Sequence, residues 1–203
     1  MKYIFLHGLG QTPDSWNKVL KELHSPETAL CPNLAKLMPN GNADYSSLYA
    51  AFSALCDTIE DDLTLCGLSL GSVLALNYAI DHPEQVKALV LIAPQYKMPR
   101  TLLKLQNILF RFMPKSAFSQ TGFQKADFIR LCHSMAELDF SRSLRKVTCP
   151  TLILCGEHDR ANQKAARMLA CLLKNAQFQL VPGAGHEVNV DAPEALAKAL
   201  HEN

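Results

Sequence analysis

Little in this chain is charged in excess, stapled or membrane-like. Its 20 lysines and arginines against 19 acids leave +1, which gives no electrostatic case for a nucleic-acid partner. No stretch reaches the roughly 18 continuous apolar residues of a membrane span. The seven cysteines are an odd number, form no Cys-x-x-Cys pair and no Cys/His cluster, and lie mostly in apolar runs, so buried free thiols are expected rather than a metal site. Such usage suits a reducing compartment. The amino terminus passes from one lysine into a strand-like run with no apolar signal core or cleavage site, so a cytoplasmic protein is expected. No repeat or low-complexity segment is present. With 203 residues, 48% of them hydrophobic, residues 1–203 suffice for one domain with its own core.

The most informative stretch is Leu63-Thr-Leu-Cys-Gly-Leu-Ser-Leu-Gly-Ser72, a short apolar run ending in a serine between Gly67 and Gly71. In this G-x-S-x-G pattern a strand turns directly into a helix, the serine takes a strained conformation, and glycines two residues either side avoid a clash. The Ser69 hydroxyl is left exposed beside the start of a helix, where unpaired amides such as that of Leu70 favour negative charge.

A serine nucleophile needs a base. His186 lies in Val181-Pro-Gly-Ala-Gly-His-Glu-Val-Asn189, just after the strand-like run Phe178–Val181, and Asp159 lies in Gly156-Glu-His-Asp-Arg160, just after Thr151–Cys155. The carboxyl ends of strands in an open parallel sheet line one edge, so Ser69, Asp159 and His186 can converge there. The carboxylate would then hold the imidazole in the tautomer that accepts the serine proton. At the amino terminus the strand Lys2–Leu6 runs into His7-Gly-Leu-Gly10, a loop able to aim the Leu9 N–H at the oxyanion position together with that of Leu70. His7 is expected to hold that loop by local hydrogen bonds, and His158 to shape the turn before Asp159.

These four motifs, in this order and spanning nearly the whole chain, resemble the α/β-hydrolase family of serine hydrolases, particularly small bacterial esterases and lipases. The resemblance implies that Ser69 is the nucleophile, His186 the general base and acid, Asp159 the orienting acid, and Leu9 with Leu70 the oxyanion hole, with no metal and no organic cofactor. Ser72 is a departure, since many relatives carry a further glycine there; tighter packing between helix and sheet is its expected consequence.

The element order predicts an α/β fold with a mostly parallel sheet of about six strands and helices on both faces. A helix is expected over Pro13–His24, a weak strand over Leu30–Leu34, a helix over Tyr45–Asp57, a strand over Leu63–Cys66, a helix from Ser69 to about Ile80, and a strand over Val86–Ala93. Thr151–Cys155 and Gln177–Val181 supply the last strands, with helices near Gln163–Leu173 and Pro193–His201. The family's usual eight-stranded sheet begins with an antiparallel pair that this chain starts too late to contain.

The segment of about 95–146 breaks the alternation and reads as two or three helices, a small helical lid by resemblance. Ten basic residues against three acids give it +7 and leave −6 on the remainder. On a helical wheel Arg100, Lys104, Asn107 and Arg111 form a narrow polar stripe, while Leu102, Leu103, Leu105, Ile108, Leu109, Phe110, Phe112 and Met113 fill a wide apolar face. The leading expectation is that this face packs on the core as the roof of an acyl pocket, with the basic stripe solvated. The stripe could instead attract an anionic ester, or the helix could rest on an anionic bilayer, the one route to membrane contact.

The expected activity is hydrolysis of small carboxylic esters, anionic or lipid-like substrates included, through an acyl-enzyme. A thioester or amide could serve the same parts. The alternatives left open are a lyase or carbon–carbon bond hydrolase using the same serine, or a ligand-binding protein on the hydrolase scaffold. The residues leave the oligomeric state open.

Overall fold

The computed structural model describes residues 1–23, 29–38, 44–118 and 122–202, with the side chains of residues 102, 104–106 and 117 outside that description. Six strands are found: β1 (Lys2–Leu6), β2 (Ala29–Leu30), β3 (Leu63–Leu68), β4 (Val86–Ile92), β5 (Thr151–Gly156) and β6 (Ala176–Val181). They form one sheet in the order β2-β1-β3-β4-β5-β6, and every pairing is parallel. Parallel strands need crossovers, which place helices on the sheet faces. That accounts for the unbroken apolar runs of β3 and β5, which are buried at every position, whereas the edge strand β6 is mostly half-exposed.

The helices are α1 (Asn17–Glu22), α2 (Leu34–Leu37), α3 (Tyr45–Asp57), α4 (Leu70–Asp81), α5 (Arg100–Phe112), α6 (Lys125–Met135), α7 (Arg160–Leu172), α8 (Val188–Asp191) and α9 (Pro193–His201). Side chains alternate across each strand, and the two faces bury separate cores. Leu63 and Leu65 of β3 join Phe52 of α3, Leu74 of α4 and Leu169 of α7. Cys66 and Leu68 join Trp16, Val19 of α1 and Leu196 of α9 on the other side.

The expected elements are present with three differences. The strand expected over Leu30–Leu34 ends at Leu30 and a helix starts at Leu34. Asn33 caps it, its side chain accepting from the Lys36 N–H at 3.2 Å, and the Leu34 N–H donates to His7 Nε2 at 3.1 Å instead of to a sheet neighbour. The helix expected over Pro13–His24 is a 3-10 turn at Pro13–Trp16 followed by α1, and His24 lies outside the described residues. The short α8, directly after the His186 loop, has too few residues to show a helical period in the sequence.

The third difference concerns the segment between β4 and β5, which holds α5, α6 and two 3-10 turns as expected. Leu103, Phe110 and Met113 of the wide apolar face pack against the core, but Ile108, Leu109 and Phe112 are exposed, Phe112 to 83%. Asn107, expected on the solvated stripe, is buried, and its Oδ1 has no partner among the described residues. The apolar face spans more of the helix circumference than one packed neighbour can cover, and α5 turns toward α6 and a cluster of rings in which Phe110 lies 5.3 Å from Phe128. Leu102, Lys104 and Leu105 fall outside the described side chains. Among the described residues no helix is long and apolar enough to cross a membrane.

Candidate active site

The turn from β3 to α4 is as tight as its glycines suggest. A Cβ on Gly67 would lie 2.3 Å from the Gly71 backbone, and one on Gly71 would lie 2.1 Å from the Leu6 carbonyl oxygen. Ser69 between them has φ 52° and ψ −110°, a region costly for a residue with a side chain. Its N–H donates to Ile92 O at 2.9 Å, which ties the elbow to β4. Ser72 Oγ donates to Ser69 O at 2.7 Å, so the departure from glycine ties down the first turn of α4.

Asp159 follows β5 at the start of α7 and is 7% exposed. His186 sits in the loop after β6, and its Nδ1 lies 2.7 Å from Asp159 Oδ2. The carboxylate only accepts, so Nδ1 carries the proton and Nε2 is the basic nitrogen. Burial pushes Asp159 up, but hydrogen bonds from His186 and Asn162 outweigh it and hold the carboxyl below its ordinary value. Gly185 N–H donates to Asp191 Oδ2 at 2.8 Å and His158 N–H to Ala184 O at 2.9 Å, which braces the His186 loop from both sides.

Ser69, Asp159 and His186 line one cavity of about 470 Å³, together with Leu70 and an apolar wall that includes Val73, Met98, Leu103 and Met135. Among the described residues no hydrogen bond joins Ser69 Oγ to His186; such contacts tighten when a ligand is bound. The Leu70 N–H opens α4 and the Leu9 N–H stands in the glycine loop after β1, and neither has a bonded acceptor among the described residues. Leu70 lines the cavity and Leu9 does not.

His7 is buried beneath that loop, its Nδ1 bonding to Gly8 O at 2.9 Å while Nε2 accepts from Leu34. Burial lowers its pKa. The bond to Gly8 is the local one expected, while the bond from Leu34 ties the loop to a residue 27 positions further on. His158 is exposed. Three side chains were not foreseen. Gln11 Oε1 accepts from the Gly8 N–H at 3.2 Å, and Gln11 exchanges two hydrogen bonds of 3.2 Å with Asn189, joining the Leu9 loop to the helix after His186. Asn162 donates to both oxygens of Asp159, at 2.8 and 2.9 Å. Its spacing of three from Asp159 at a helix start was the signal available. Gln11 and Asn189 are 178 residues apart and gave none.

A strained serine elbow at the carboxyl edge of a parallel sheet, facing an Asp–His pair from the last two strands, defines the class of the α/β hydrolases. The sequence matches that family over residues 3–199, and the chain belongs to it. Monoacylglycerol lipase abhd6-B of Xenopus laevis is 23% identical over 250 residues, which cover 97% of this chain and 73% of that one. Among solved structures, a thermophilic esterase from Thermogutta terrifontis superposes with a TM-score of 0.80 at 20% identity, covering 100% of this chain and 88% of its own. The enol-lactonase from Burkholderia xenovorans LB400 does so with a TM-score of 0.84 at 16% identity, covering 98% and 89%. At these identities the two structures speak for the fold alone.

Proposed function

We propose that this chain is a serine hydrolase that cleaves carboxylic esters through an acyl-enzyme. The observation that carries the reading is the shared cavity of Ser69, Asp159 and His186 beside the Leu70 N–H at a helix start, which has no acceptor among the described residues. Ser69 Oγ attacks the ester carbonyl while His186 Nε2 takes its proton, and the oxyanion is held by the amides of Leu70 and Leu9. The protonated imidazole, stabilised by Asp159, gives its proton to the departing alcohol. Water then enters by the same route, and Ser69 is released with the acid product. The mechanism draws on no metal or organic cofactor.

The apolar wall of the cavity favours an acyl chain, in keeping with relatives named as a lipase and an esterase. Helix α5 is assigned the role of a lid, since Leu103 and Leu109 stand at the same cavity. Exposed Ile108, Leu109 and Phe112, near exposed Arg111 and Lys115, favour lipid-like esters presented at an anionic surface, with membrane contact made through the lid alone. Seven free cysteines support a cytoplasmic setting.

The test is incubation of the protein and its Ser69→Ala variant with a fluorophosphonate and a series of p-nitrophenyl esters. Labelling and turnover that vanish in the variant are expected. Labelling without ester turnover would move the reading to another acyl or carbon–carbon substrate, and neither signal from folded protein would overturn it.

A further inference from the structure

We infer that Asn162 is a positioning residue that orients the Asp159–His186 pair and, through Gln95, ties that pair to the root of the helical segment over the cavity. The inference rests on the reading of Ser69, His186 and Asp159 as a catalytic triad.

Asn162 lies in the first turn of α7, three residues after Asp159, and its amide nitrogen bridges both carboxylate oxygens at 2.8 and 2.9 Å. The same nitrogen is 3.2 Å from His186 Nδ1. Both nitrogens bear protons and cannot bond to each other, so the single carboxylate of Asp159 must receive both. Its plane is thereby fixed by two donors, one from the first turn of α7 and one from the loop after β6. The arrangement also settles which way the Asn162 amide faces, because only its NH₂ can meet a carboxylate. Oδ1 is left on the opposite side, where it accepts from Gln95 Nε2 at 2.8 Å.

Gln95 stands just beyond β4, where the helical segment departs, and it lines the same cavity as Ser69 and His186. Two residues before it Ala93 has φ 50°, so the backbone leaving β4 is held in a strained turn that sets where Gln95 points. A row of donors therefore runs from Gln95 to Asn162 to Asp159, each bond polarising the next. Movement at the root of the segment changes how much of the carboxylate charge Asn162 takes up, and with it how firmly the imidazolium is held in the reaction. Cys155 is a further ionisable neighbour of the carboxylate among the described residues, and burial pushes its thiol up to about 12, which leaves it neutral; His158 and Arg160 are exposed.

The experiment compares the parent, Asn162→Leu, Gln95→Leu and the double variant. It reads the rate of fluorophosphonate labelling, and kcat and KM for p-nitrophenyl butyrate across a range of pH, with folding checked by circular dichroism. Without its second donor the Asp159 carboxylate, and the imidazole it holds, can turn out of line with Ser69, and a misplacement of this kind predicts a fall in kcat and labelling rate of about ten- to a hundredfold in Asn162→Leu, with KM changed by less than about twofold. The acid limb of kcat/KM moves to higher pH, because the undivided carboxylate charge holds the reacting proton more firmly. Gln95→Leu shifts both readouts the same way by less, and the double variant is no worse than Asn162→Leu, since the path runs through Asn162.

A folded Asn162→Leu with parental rates and pH profile overturns the positioning role. Additive losses in the double variant overturn the link through Gln95. If Asn162→Leu does not fold, Gln95→Leu carries the test, and a parental profile there sinks the inference. A parent that takes no label sinks the triad reading and this inference together; a labelled parent beside an unchanged Asn162→Leu sinks this inference alone.

Discussion

Gly156, at the end of β5, and Gly185, in the loop before His186, touch backbone to backbone: a Cβ on Gly156 would stand 1.9 Å from the Gly185 carbonyl oxygen. No side chain can yield there, so the loops carrying Asp159 and His186 are registered by the absence of a methyl group. Gly156→Ala must push them apart, and a backbone clash of this kind costs more than about 2 kcal/mol. Urea denaturation should report that loss, and ester turnover should fall further than the unfolded fraction explains. A variant with parental stability and turnover would show that the loops move apart freely.

Asp159→Asn keeps the shape of the acid while removing the charge that orients His186. Turnover should fall by on the order of 10³–10⁴-fold with KM little changed. Since the parent carboxyl is held below its ordinary value, it adds stability above the unfolded value of about 3.9 and loses that contribution as pH falls through the lower folded value. In Asp159→Asn the acid-side decline of the melting temperature should be shallower. An equal slope in both proteins would contradict the assigned hydrogen bonds.

His7 gives the opposite side of the same linkage. Its folded-state pKa lies below the unfolded value of about 6.5, so the unfolded chain takes up a proton that the native protein refuses. Stability should decline as pH drops below about 6.5, levelling off once the folded group also titrates. Protonation would also deprive the Leu34 N–H of its acceptor. His7→Gln should flatten the dependence of the urea midpoint on pH in this window; an unchanged dependence would place the titration elsewhere.

Phe112, 83% exposed, and Ile108, 53% exposed, give α5 an apolar face that water covers poorly. Phe112→Ser combined with Ile108→Ser should leave turnover of a soluble short-chain ester within about twofold and lower co-sedimentation with anionic liposomes. Raised salt should weaken the parent's association as well, by screening the basic residues of the segment. Liposome binding that is absent in the parent at low salt would remove the lipid surface from the account.

Much of the fold was legible because a parallel sheet writes itself in unbroken apolar runs, and β3, β4 and β5 fall almost where Leu63, Val86 and Thr151 begin such runs. The candidate site residues were legible for a related reason, since each follows a strand end with its own glycines. Leu34 was misread because its N–H is spoken for by His7, a partner 27 residues earlier. The exposed face of α5 was misread because amphipathicity says that a face is apolar and not how much of it a neighbour covers. Gln11 acts through its bonds to Asn189, 178 residues away, which no local pattern encodes; Asn162 sits only three residues after Asp159, but its link to Gln95 spans 67 residues.

The strand order carries a consequence for the growing chain. Beyond β3 the sheet extends outward in one direction, β4, then β5, then β6, so each new strand covers the one made before it. Leu89–Ile92 can pair with β3 on one side as soon as they are made, but between Ala93 and Pro150 nothing yet synthesised can pair with their outer edge, and that apolar rim stays open while the helices α5 and α6 are being made. An unpaired rim of this kind invites a second nascent chain. Slow translation through this stretch should therefore harm yield more than a pause after β5 has docked.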